Sequence, residues 1–173
     1  MSGYLYTHPA ALETEQLLKA CRMTRGRVSG PGGQHRNKVE TAVFLLHEPT
    51  GIKAQATESR QPERNRLKAI HRLRVRLALE HRLGVPLPGY EPSERLRKRV
   101  RGGRLALNPE HDDAPAILAE VLDVLAATRD DLGRTALLLD LTRTQIIRLI
   151  KEFPPALADL NERRRVRRLR PFR

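Results

Sequence analysis

The sequence predicts an α+β protein. A small domain with a short mixed or antiparallel sheet and a long packing helix is followed by an all-α helix-turn-helix-like module and a basic tail. Three observations favour this class. Two neighbouring β-rich runs, residues 41–47 and 52–57, precede one long amphipathic repeat. Beyond residue 115 the apolar residues recur at helical spacing. The segment between these regions is rich in proline and glycine, which indicates a boundary.

The first domain is predicted over residues 1–83. Its two β-rich runs flank Pro49, Thr50 and Gly51, which favour a turn and therefore a hairpin. Pro62 suits the first turn of a helix, where its missing N–H costs nothing. The predicted elements are a helix over 14–21, a strand over 22–28, strands over 41–47 and 52–57, and a helix from Pro62 to about Leu83.

The long helix is expected to have one apolar face and one basic face. At 100° per residue, four apolar side chains share a stripe and four cations lie roughly opposite. The apolar stripe consists of Leu67, Ile70, Leu73 and Leu77. The basic stripe consists of Arg64, Lys68, Arg72 and Arg82. One face should pack on the sheet, and the other should meet solvent or phosphate.

Residues 84–115 are predicted to be a linker that contains one short basic helix, Ser93 to Arg101, capped by Ser93. The helical module follows over residues 116–160, with a first helix to Ala127. Thr142 and Gln145 form a capping box that opens its last helix. The two closing helices resemble a helix-turn-helix, or an ordinary corner between two helices. Because the segment is acidic overall, packing or partner binding is favoured over base readout.

The charge balance indicates a polyanionic partner. Lys and Arg number 33 against 20 Asp and Glu, which gives a net charge of +13. Of the 33 cations 27 are arginines, whose planar guanidinium suits bidentate contacts with phosphate. The charge runs basic, acidic, basic: +12 over residues 1–104, −5 over 105–160 and +6 over 161–173. The last segment is an Arg-rich tail, which is expected to order only against RNA.

Several function classes are excluded at this stage. No apolar run approaches the roughly 18 residues that a membrane crossing needs, and residues 1–20 lack the features of a signal peptide. We therefore expect a monomeric cytoplasmic protein with no membrane partner. The single cysteine, Cys21, excludes an internal disulfide. The histidines show no metal-ligand spacing, so no metal and no cofactor are predicted. Glu40, Glu48 and Glu58 are interpreted as surface or local ion-pair residues.

The most informative segment is the loop Ser-Gly-Pro-Gly-Gly-Gln at residues 29–34. Gly32 and Gly33 lack a Cβ, so their backbone can approach a ligand closely. Gln34 has no useful pKa and is neither a general base nor a nucleophile. Its backbone N–H and side-chain amide can instead donate hydrogen bonds to developing oxyanion charge, or position water. Nearby cations indicate that a phosphate-rich molecule approaches this loop.

The sequence around the loop is more specific evidence of function than the Gly-Gly-Gln triplet at residues 32–34 alone. Residues 29–43, Ser-Gly-Pro-Gly-Gly-Gln-His-Arg-Asn-Lys-Val-Glu-Thr-Ala-Val, followed by Pro-Thr-Gly-Ile at 49–52, resemble the catalytic domain of the bacterial peptide chain release factors and ribosome-rescue hydrolases. The resemblance covers roughly residues 12–83. It implies that Gly32, Gly33 and Gln34 reach the ester of peptidyl-tRNA in the peptidyl transferase centre. It also implies that the Gln34 N–H faces the oxyanion or leaving oxygen, while its side chain excludes nucleophiles larger than water.

His35, Asn37 and Lys38 also match the family pattern, whereas Arg36 departs from it, since better-known members carry a small apolar residue there. His35 is open to two interpretations, a general base or an RNA or backbone contact, and the family mechanism favours the second. The expected partner is the ribosome, through large-subunit rRNA and peptidyl-tRNA. The residues predicted to bind RNA are Arg25, Arg27, His35, Arg36, Asn37, Lys38, Arg64, Lys68, Arg72, Arg163, Arg164, Arg165, Arg167, Arg168 and Arg170.

The segment before residue 12 has no room for a codon-recognition domain, so the sequence predicts codon-independent hydrolysis on stalled ribosomes or large subunits. Tails of this kind in rescue hydrolases occupy the empty mRNA channel, which is one expected destination here. A generic affinity for nucleic acid is the simpler interpretation of the tail. The alternative function is a non-enzymatic ribosome- or nucleic-acid-binding protein, including a helix-turn-helix regulator.

Overall fold

A computed structural model describes residues 6–27 and 40–172. These residues form two compact units. One unit, the sheet unit, runs from Pro9 to His81. The other, the helical unit, contains residues 6–8 and 82–172. The predicted mixed α+β class is confirmed, and each unit is described by itself below.

The sheet unit has the element order predicted from the sequence. Its three strands form one antiparallel sheet in the order β1-β2-β3, and β2 and β3 form the predicted hairpin. The elements are a 3-10 turn at Pro9–Ala11, α1 at Thr14–Lys19, β1 at Cys21–Gly26, β2 at Ala42–His47, β3 at Ile52–Ala56 and α2 at Pro62–Glu80. The predicted start of α2 at Pro62 is confirmed.

The core of the sheet unit lies between the sheet and α2. Along β3 the residues Ile52, Ala54 and Ala56 are buried, and the two between them are exposed, as period-two alternation requires. On the helix side, Ile70, Leu73 and Leu77 are buried, as the sequence predicts. Together these side chains form the apolar contact that fixes α2 on the sheet.

Two predictions about α2 are wrong. Leu67 is 58% exposed, because it lies about 120° around the helix from Leu73 and so reaches only the edge of the contact with the sheet. Arg82 lies outside the helix, which ends at Glu80 rather than near Leu83. The reason is that His81 adopts an extended backbone with ψ of 135°, although its amide still donates to the carbonyl of Leu77.

The helical unit begins with a short helix and a hairpin. The cap predicted at Ser93 is confirmed, since Ser93 Oγ accepts a hydrogen bond from the Leu96 amide at 3.1 Å. The predicted end of this helix at Arg101 is wrong, because Val100 and Arg101 form the first strand of a hairpin that the sequence does not predict. The elements of the unit are α3 at Glu94–Arg99, β4 at Val100–Arg101, β5 at Arg104–Leu105, α4 at Ala114–Ala127, α5 at Leu132–Leu139, α6 at Arg143–Lys151 and α7 at Pro154–Val166.

Helix α4 is the core of this unit. Every residue from Ala114 to Leu125 is buried, including the two carboxylates Glu120 and Asp123. Buried carboxylates need polar partners. Glu120 accepts from Tyr90 and Ser93, and Asp123 accepts from the hydroxyl of Tyr6 at 2.7 Å. These carboxylates therefore tie segments on either side of the sheet-unit sequence to the buried helix.

The closing helices begin at capping residues. Asp131 accepts from the amides of Gly133 and Arg134 at the start of α5, and Thr142 Oγ1 accepts from the Gln145 amide at 3.2 Å at the start of α6. Only this half of the predicted capping box forms. The Gln145 side chain instead accepts from the Leu105 amide at 3.3 Å, which anchors the hairpin.

The Arg-rich segment differs from its prediction. It was expected to order only against RNA, yet α7 continues to Val166 and includes Arg163, Arg164 and Arg165. Acidic partners within the helical unit offset the repulsion between these arginines. Among the helices of residues 6–27 and 40–172, none combines the length and apolar character that crossing a membrane would take.

Candidate functional site

The candidate site lies where β1 ends and β2 begins. The backbones of Gly26 and Ala42 are paired in the antiparallel register, so the two ends of the intervening segment are held side by side. The predicted catalytic residues Gly32, Gly33 and Gln34 fall within this segment and lie outside the described residues. The same holds for four of the predicted RNA-binding residues: His35, Arg36, Asn37 and Lys38.

Asn65 is the main structural support of this position. Its side chain is fully buried at the start of α2. Nδ2 donates to the carbonyl of Thr41 at 2.6 Å and to that of Ser59 at 2.9 Å, and Oδ1 accepts from the Ser59 amide at 2.9 Å. One side chain thus joins the residue before β2, the turn after β3 and the long helix. The five polar groups of the Asn65 site, two from its side chain and three from the backbone, satisfy one another in a buried position, where an unpaired group would be costly.

Sequence reasoning missed Asn65. The available signal was its place on the helix, about 80° from Leu73 and therefore on the side of α2 that faces the sheet. A polar residue at such a position usually has backbone partners. Nothing in the sequence identified those partners as Thr41 and Ser59, because they are 24 and 6 residues away.

Gly26 allows close packing beside the paired ends. A Cβ built on Gly26 would lie 3.1 Å from Cε2 of Phe44, so the ring of Phe44 occupies the space that a side chain would take. Phe44 pairs with Thr24, two residue pairs from Gly26 and Ala42 and therefore on the same face of the sheet. This contact fills the sheet face beside the last residues of β1.

Arg25 and Arg27 lie on the β1 side of the site and are both exposed. The side chain of Arg27 is 62% exposed, and its Nε lies 3.7 Å from the carboxylate of Glu40. An exposed pair at this distance contributes little to stability. Arg25 and Arg27 are therefore accessible to a phosphate, and Glu40 forms the local ion pair expected from the sequence.

The predicted basic face of α2 divides into two parts. Arg64 and Lys68 are exposed, and neither forms an ion pair with any described residue. Arg72 has structural partners: its Nη1 donates to the carbonyl of Gln55 at 2.9 Å, and its other terminal nitrogen pairs with Glu58. Arg72 thereby satisfies a carbonyl of β3 at the edge of the sheet.

The electrostatics around Glu58 reflect this arrangement. A hydrogen bond from its own backbone, followed by the hydrogen bond from Arg72, lowers the pKa of Glu58 to about 2. The carboxylate of Glu48 pairs with Arg22 at 2.9 Å. All three glutamates of this unit that were interpreted as local ion-pair residues therefore have an arginine partner.

The predicted RNA-binding arginines of the tail belong to the helical unit, and most of them have partners within that unit. Arg163 and Arg167 pair with Asp130, Arg165 pairs with Glu162, and the guanidinium of Arg164 stacks 3.9 Å from the ring centre of Phe172. Arg168 and Arg170 are exposed. The fold therefore satisfies four of these six arginines internally.

Residues 14–87 match the family model described as the RF-1 domain. Peptide chain release factor 1 of Streptococcus thermophilus is 47% identical over 60 residues, which are 35% of this chain and 17% of that protein. Peptide chain release factor 1 of Acidiphilium cryptum is 53% identical over 51 residues, which are 30% of this chain and 14% of that protein.

The chain thus matches about one sixth of the length of these curated relatives. The matched segment contains β1, β2, β3 and α2, together with the connection between β1 and β2 that carries the Gly-Gly-Gln triplet. The resemblance to the peptide chain release factors is confirmed for residues 14–87, and over this segment the chain is release-factor-like.

Proposed function

We propose that this chain hydrolyses the ester bond of peptidyl-tRNA on the ribosome. The observation that carries the proposal is the Gly-Gly-Gln triplet at residues 32–34, inside the segment that matches the RF-1 domain and between two strands whose ends are paired. A donor that stabilises an oxyanion must be held in place before the reaction. Paired strand ends and the Asn65 side chain supply such support at the base of this segment.

The reaction needs no ionisable side chain from Gln34. Water attacks the ester carbonyl, and the bond between that carbon and the ribose oxygen of tRNA breaks. The peptide leaves with a new carboxyl group, and the ribose oxygen takes the proton. The Gln34 N–H donates to the oxygen that develops negative charge, while the side-chain amide limits the nucleophile to water. The removal of one such donor typically slows an acyl-transfer reaction by about 10² to 10³-fold.

Cations around the site fit an approach to RNA. Arg25, Arg27, Arg64 and Lys68 are exposed and belong to the same unit as the triplet. Contacts of this kind with phosphate orient a protein on RNA without reading sequence. We propose that these residues, with His35, Arg36, Asn37 and Lys38, contact large-subunit rRNA or peptidyl-tRNA.

We propose further that hydrolysis is independent of a codon and acts on stalled ribosomes or large subunits. In support, the similarity to release factor 1 is concentrated in the RF-1 domain, and the described residues after it form a helical unit with an Arg-rich end. A basic segment of this kind suits the mRNA channel of a ribosome whose decoding site is empty.

The test is the release of labelled peptide from ribosomes programmed with truncated mRNA. Wild type is compared with Gln34→Ala, with Gly33→Ala and with the control Gln16→Ala, which changes an exposed glutamine on α1. We expect both loop variants to slow release, Gly33→Ala more severely, because a Cβ obstructs close approach or a positive φ. Wild-type rates in both loop variants would refute the assignment of the triplet.

Two further release measurements test codon independence and the preferred ribosomal particle separately. Ribosomes stalled at a sense codon with intact mRNA test codon independence, and large subunits that hold peptidyl-tRNA test the choice of particle. Preference for ribosomes with a stop codon would contradict the codon-independent form. Stoichiometric binding to stalled particles without release would instead favour the alternative, a non-enzymatic ribosome-binding protein.

A further inference from the structure

A cationic surface in the helical unit was not among the predicted RNA-binding residues. We name it the hairpin–helix surface, and it consists of Arg101, Arg104, Arg143, Arg148 and Lys151. All five side chains are exposed, and none forms an ion pair within 4.0 Å with any residue of the described ranges. Two belong to the β4–β5 hairpin and three belong to α6.

The hairpin is fixed against the beginning of α6. The Thr142 amide donates to the carbonyl of Gly103 at 3.1 Å, and the Leu105 amide donates to Gln145 Oε1 at 3.3 Å. Gly103 has a φ of +72°, and a Cβ there would lie 3.2 Å from Cγ2 of Thr142. Glycine therefore permits both the turn and the close contact. As a result, the hairpin is held beside the first turn of α6.

The arrangement of the two hairpin arginines indicates an anionic ligand. Arg101 and Arg104 are directly opposite each other in the antiparallel register. Like charges in this position destabilise a strand pair. The phosphates of a bound polyanion would remove that repulsion.

The exposed face of α6 continues the same charge. At 100° per residue, Arg143, Lys151 and Arg148 lie within an arc of about 140°. Leu149 and Ile146 lie on the other side of the helix, at about 240° and 300° from Arg143, and both are buried. The nine residues of α6 span about 13 Å, so this arc extends along one side of the helix as a narrow basic strip.

Several acidic residues of this region are buried or paired elsewhere, although residues 105–160 carry a net charge of −5. Glu120 and Asp123 are buried in α4, Asp113 pairs with Arg95 and Arg99, and Asp130 pairs with Arg163 and Arg167. Asp131, Asp140 and Glu152 are exposed near the ends of α5 and α6. The hydrogen bond from the Arg134 amide, with a smaller contribution from the charge of Arg143, lowers the pKa of Asp131. The segment is therefore acidic in total, while the face of α6 between its ends is basic.

We propose that the hairpin–helix surface binds the phosphate backbone of helical RNA. The identification of that RNA as ribosomal rests on the proposed function. Two polar side chains at the start of α6 are engaged within the fold, since Gln145 is bound to the hairpin and Thr142 caps the helix. This favours contact with phosphate over base readout. Recognition of duplex RNA depends mainly on shape and on contacts with phosphate and 2′-hydroxyl groups, which suits such a surface.

The test measures binding of the full chain to a fluorescent RNA hairpin of about 16 base pairs, a length typical of duplex-RNA recognition, across a salt series. Two double variants remove the surface in halves: Arg143→Gln with Arg148→Gln, and Arg101→Gln with Arg104→Gln. The control is Arg97→Gln with Lys98→Gln, which removes two exposed cations of α3 that are already paired with Glu91 and Glu94. Circular dichroism verifies that each variant is folded.

We expect each surface variant to lower RNA affinity about 10-fold at 100 mM salt and to reduce the slope of log affinity against log salt by about two. The control should change affinity less than threefold. Equal losses in control and surface variants would overturn the proposal, as would unchanged affinity in both surface variants. Tighter binding to a DNA duplex of the same sequence would also overturn it, in favour of a DNA-reading helix.

This assay contains no ribosome and no ester, so its result is independent of the proposed hydrolysis. In the peptide-release assay, the surface variants should need more protein for half-maximal release and reach the wild-type rate at saturation. If wild type releases no peptide but the surface variants still lose RNA affinity, the hydrolase proposal fails and the hairpin–helix surface is supported.

Discussion

Asn65 Nδ2 lies 2.6 Å from the carbonyl oxygen of Thr41, which joins the long helix α2 to the residue where the chain enters β2. The same side chain binds Ser59 through both its amide and its carbonyl. Residues 28–39 lie between β1 and this contact. A helix that packs across the sheet therefore determines where the segment with the Gly-Gly-Gln triplet is attached.

We predict that Asn65→Ala destabilises the sheet unit and slows peptide release at saturating protein. The substitution leaves the Ser59 amide and two carbonyls without their partner, and each such loss in a buried place costs about 1 to 3 kcal/mol. Urea unfolding measures the first effect. The release rate, measured well below the unfolding temperature, measures the second. If stability falls and the rate at saturation is unchanged, Asn65 stabilises the fold without positioning the triplet.

The sheet unit was predictable because its signals are local. The turn at residues 49–51 and the alternation of β3 depend on neighbours within a few positions, as does the proline at the start of α2. The predicted end of α2 near Leu83 is too late, because no glycine or proline interrupts the sequence between Pro62 and Gly84, although the backbone turns away at His81. The contact of Asn65 with Thr41 joins residues 24 positions apart, and no single-sequence pattern encodes such a partner.

The helical unit shows where charge totals mislead. The net charge of residues 105–160 argued against a nucleic-acid contact for α6. This net charge does not show that Glu120 and Asp123 are buried, or that Asp130 pairs with arginines beyond residue 160. The hairpin has no recognisable sequence signal, because each strand has only two residues and Gly102 and Gly103 fall in the predicted linker.

We predict that Glu58 contributes acid-dependent stability to the sheet unit. Its pKa in the folded chain, about 2, lies below its ordinary value of 4.5. The contribution is therefore complete above pH 4.5 and disappears as the pH falls toward 2. Because the side chain is 43% exposed, solvent screening limits the effect to about 1 kcal/mol or less.

Urea unfolding of wild type and Glu58→Gln between pH 2 and pH 7 tests the acid-dependent contribution of Glu58 to stability. The variant should lose less stability than wild type over the window from 4.5 to 2. Arg72→Gln should lie between the two, because the backbone hydrogen bond of Glu58 remains. Parallel pH profiles for wild type and Glu58→Gln would contradict the prediction.

We predict that Tyr6→Phe destabilises the helical unit at neutral pH and alters its unfolding in alkali. The Tyr6 hydroxyl donates to the buried carboxylate of Asp123 at 2.7 Å, and Arg82 donates to the other carboxylate oxygen at 2.8 Å. Loss of the hydroxyl leaves Asp123 with fewer donors and should cost about 1 to 3 kcal/mol.

The effect of alkali on unfolding follows from the raised pKa of Tyr6. Burial, followed by the charge of Asp123, raises the pKa of Tyr6 above its ordinary value of 10. The protonated phenol therefore stabilises the folded chain below pH 10, and this contribution is lost as the pH rises beyond 10. Unfolding of Tyr6→Phe should depend less on pH between 9 and 11 than that of wild type. A steeper dependence in the variant would show that another group dominates.

The final prediction concerns Asp130, which restrains two tail arginines. Its carboxylate is 6% exposed and pairs with Arg163 at 3.2 Å and with Arg167 at 3.1 Å. Asp130 has a φ of +61°, a left-handed conformation that asparagine tolerates well, so Asp130→Asn removes the charge with little backbone strain. We expect lower stability together with higher RNA affinity, because both guanidinium groups become available to phosphate.

The destabilisation should be about 1 to 3 kcal/mol, less than for a fully buried pair, since Arg163 and Arg167 are 35% and 46% exposed. The control is Asp159→Asn, which makes the same change of charge at a residue that is 65% exposed and also pairs with Arg163. It should leave stability nearly unchanged and raise RNA affinity less. Urea unfolding and RNA titration of wild type, Asp130→Asn and Asp159→Asn measure the changes in stability and in RNA affinity. Equal gains in affinity for both variants would mean that net charge, and not release of the arginines from Asp130, governs binding.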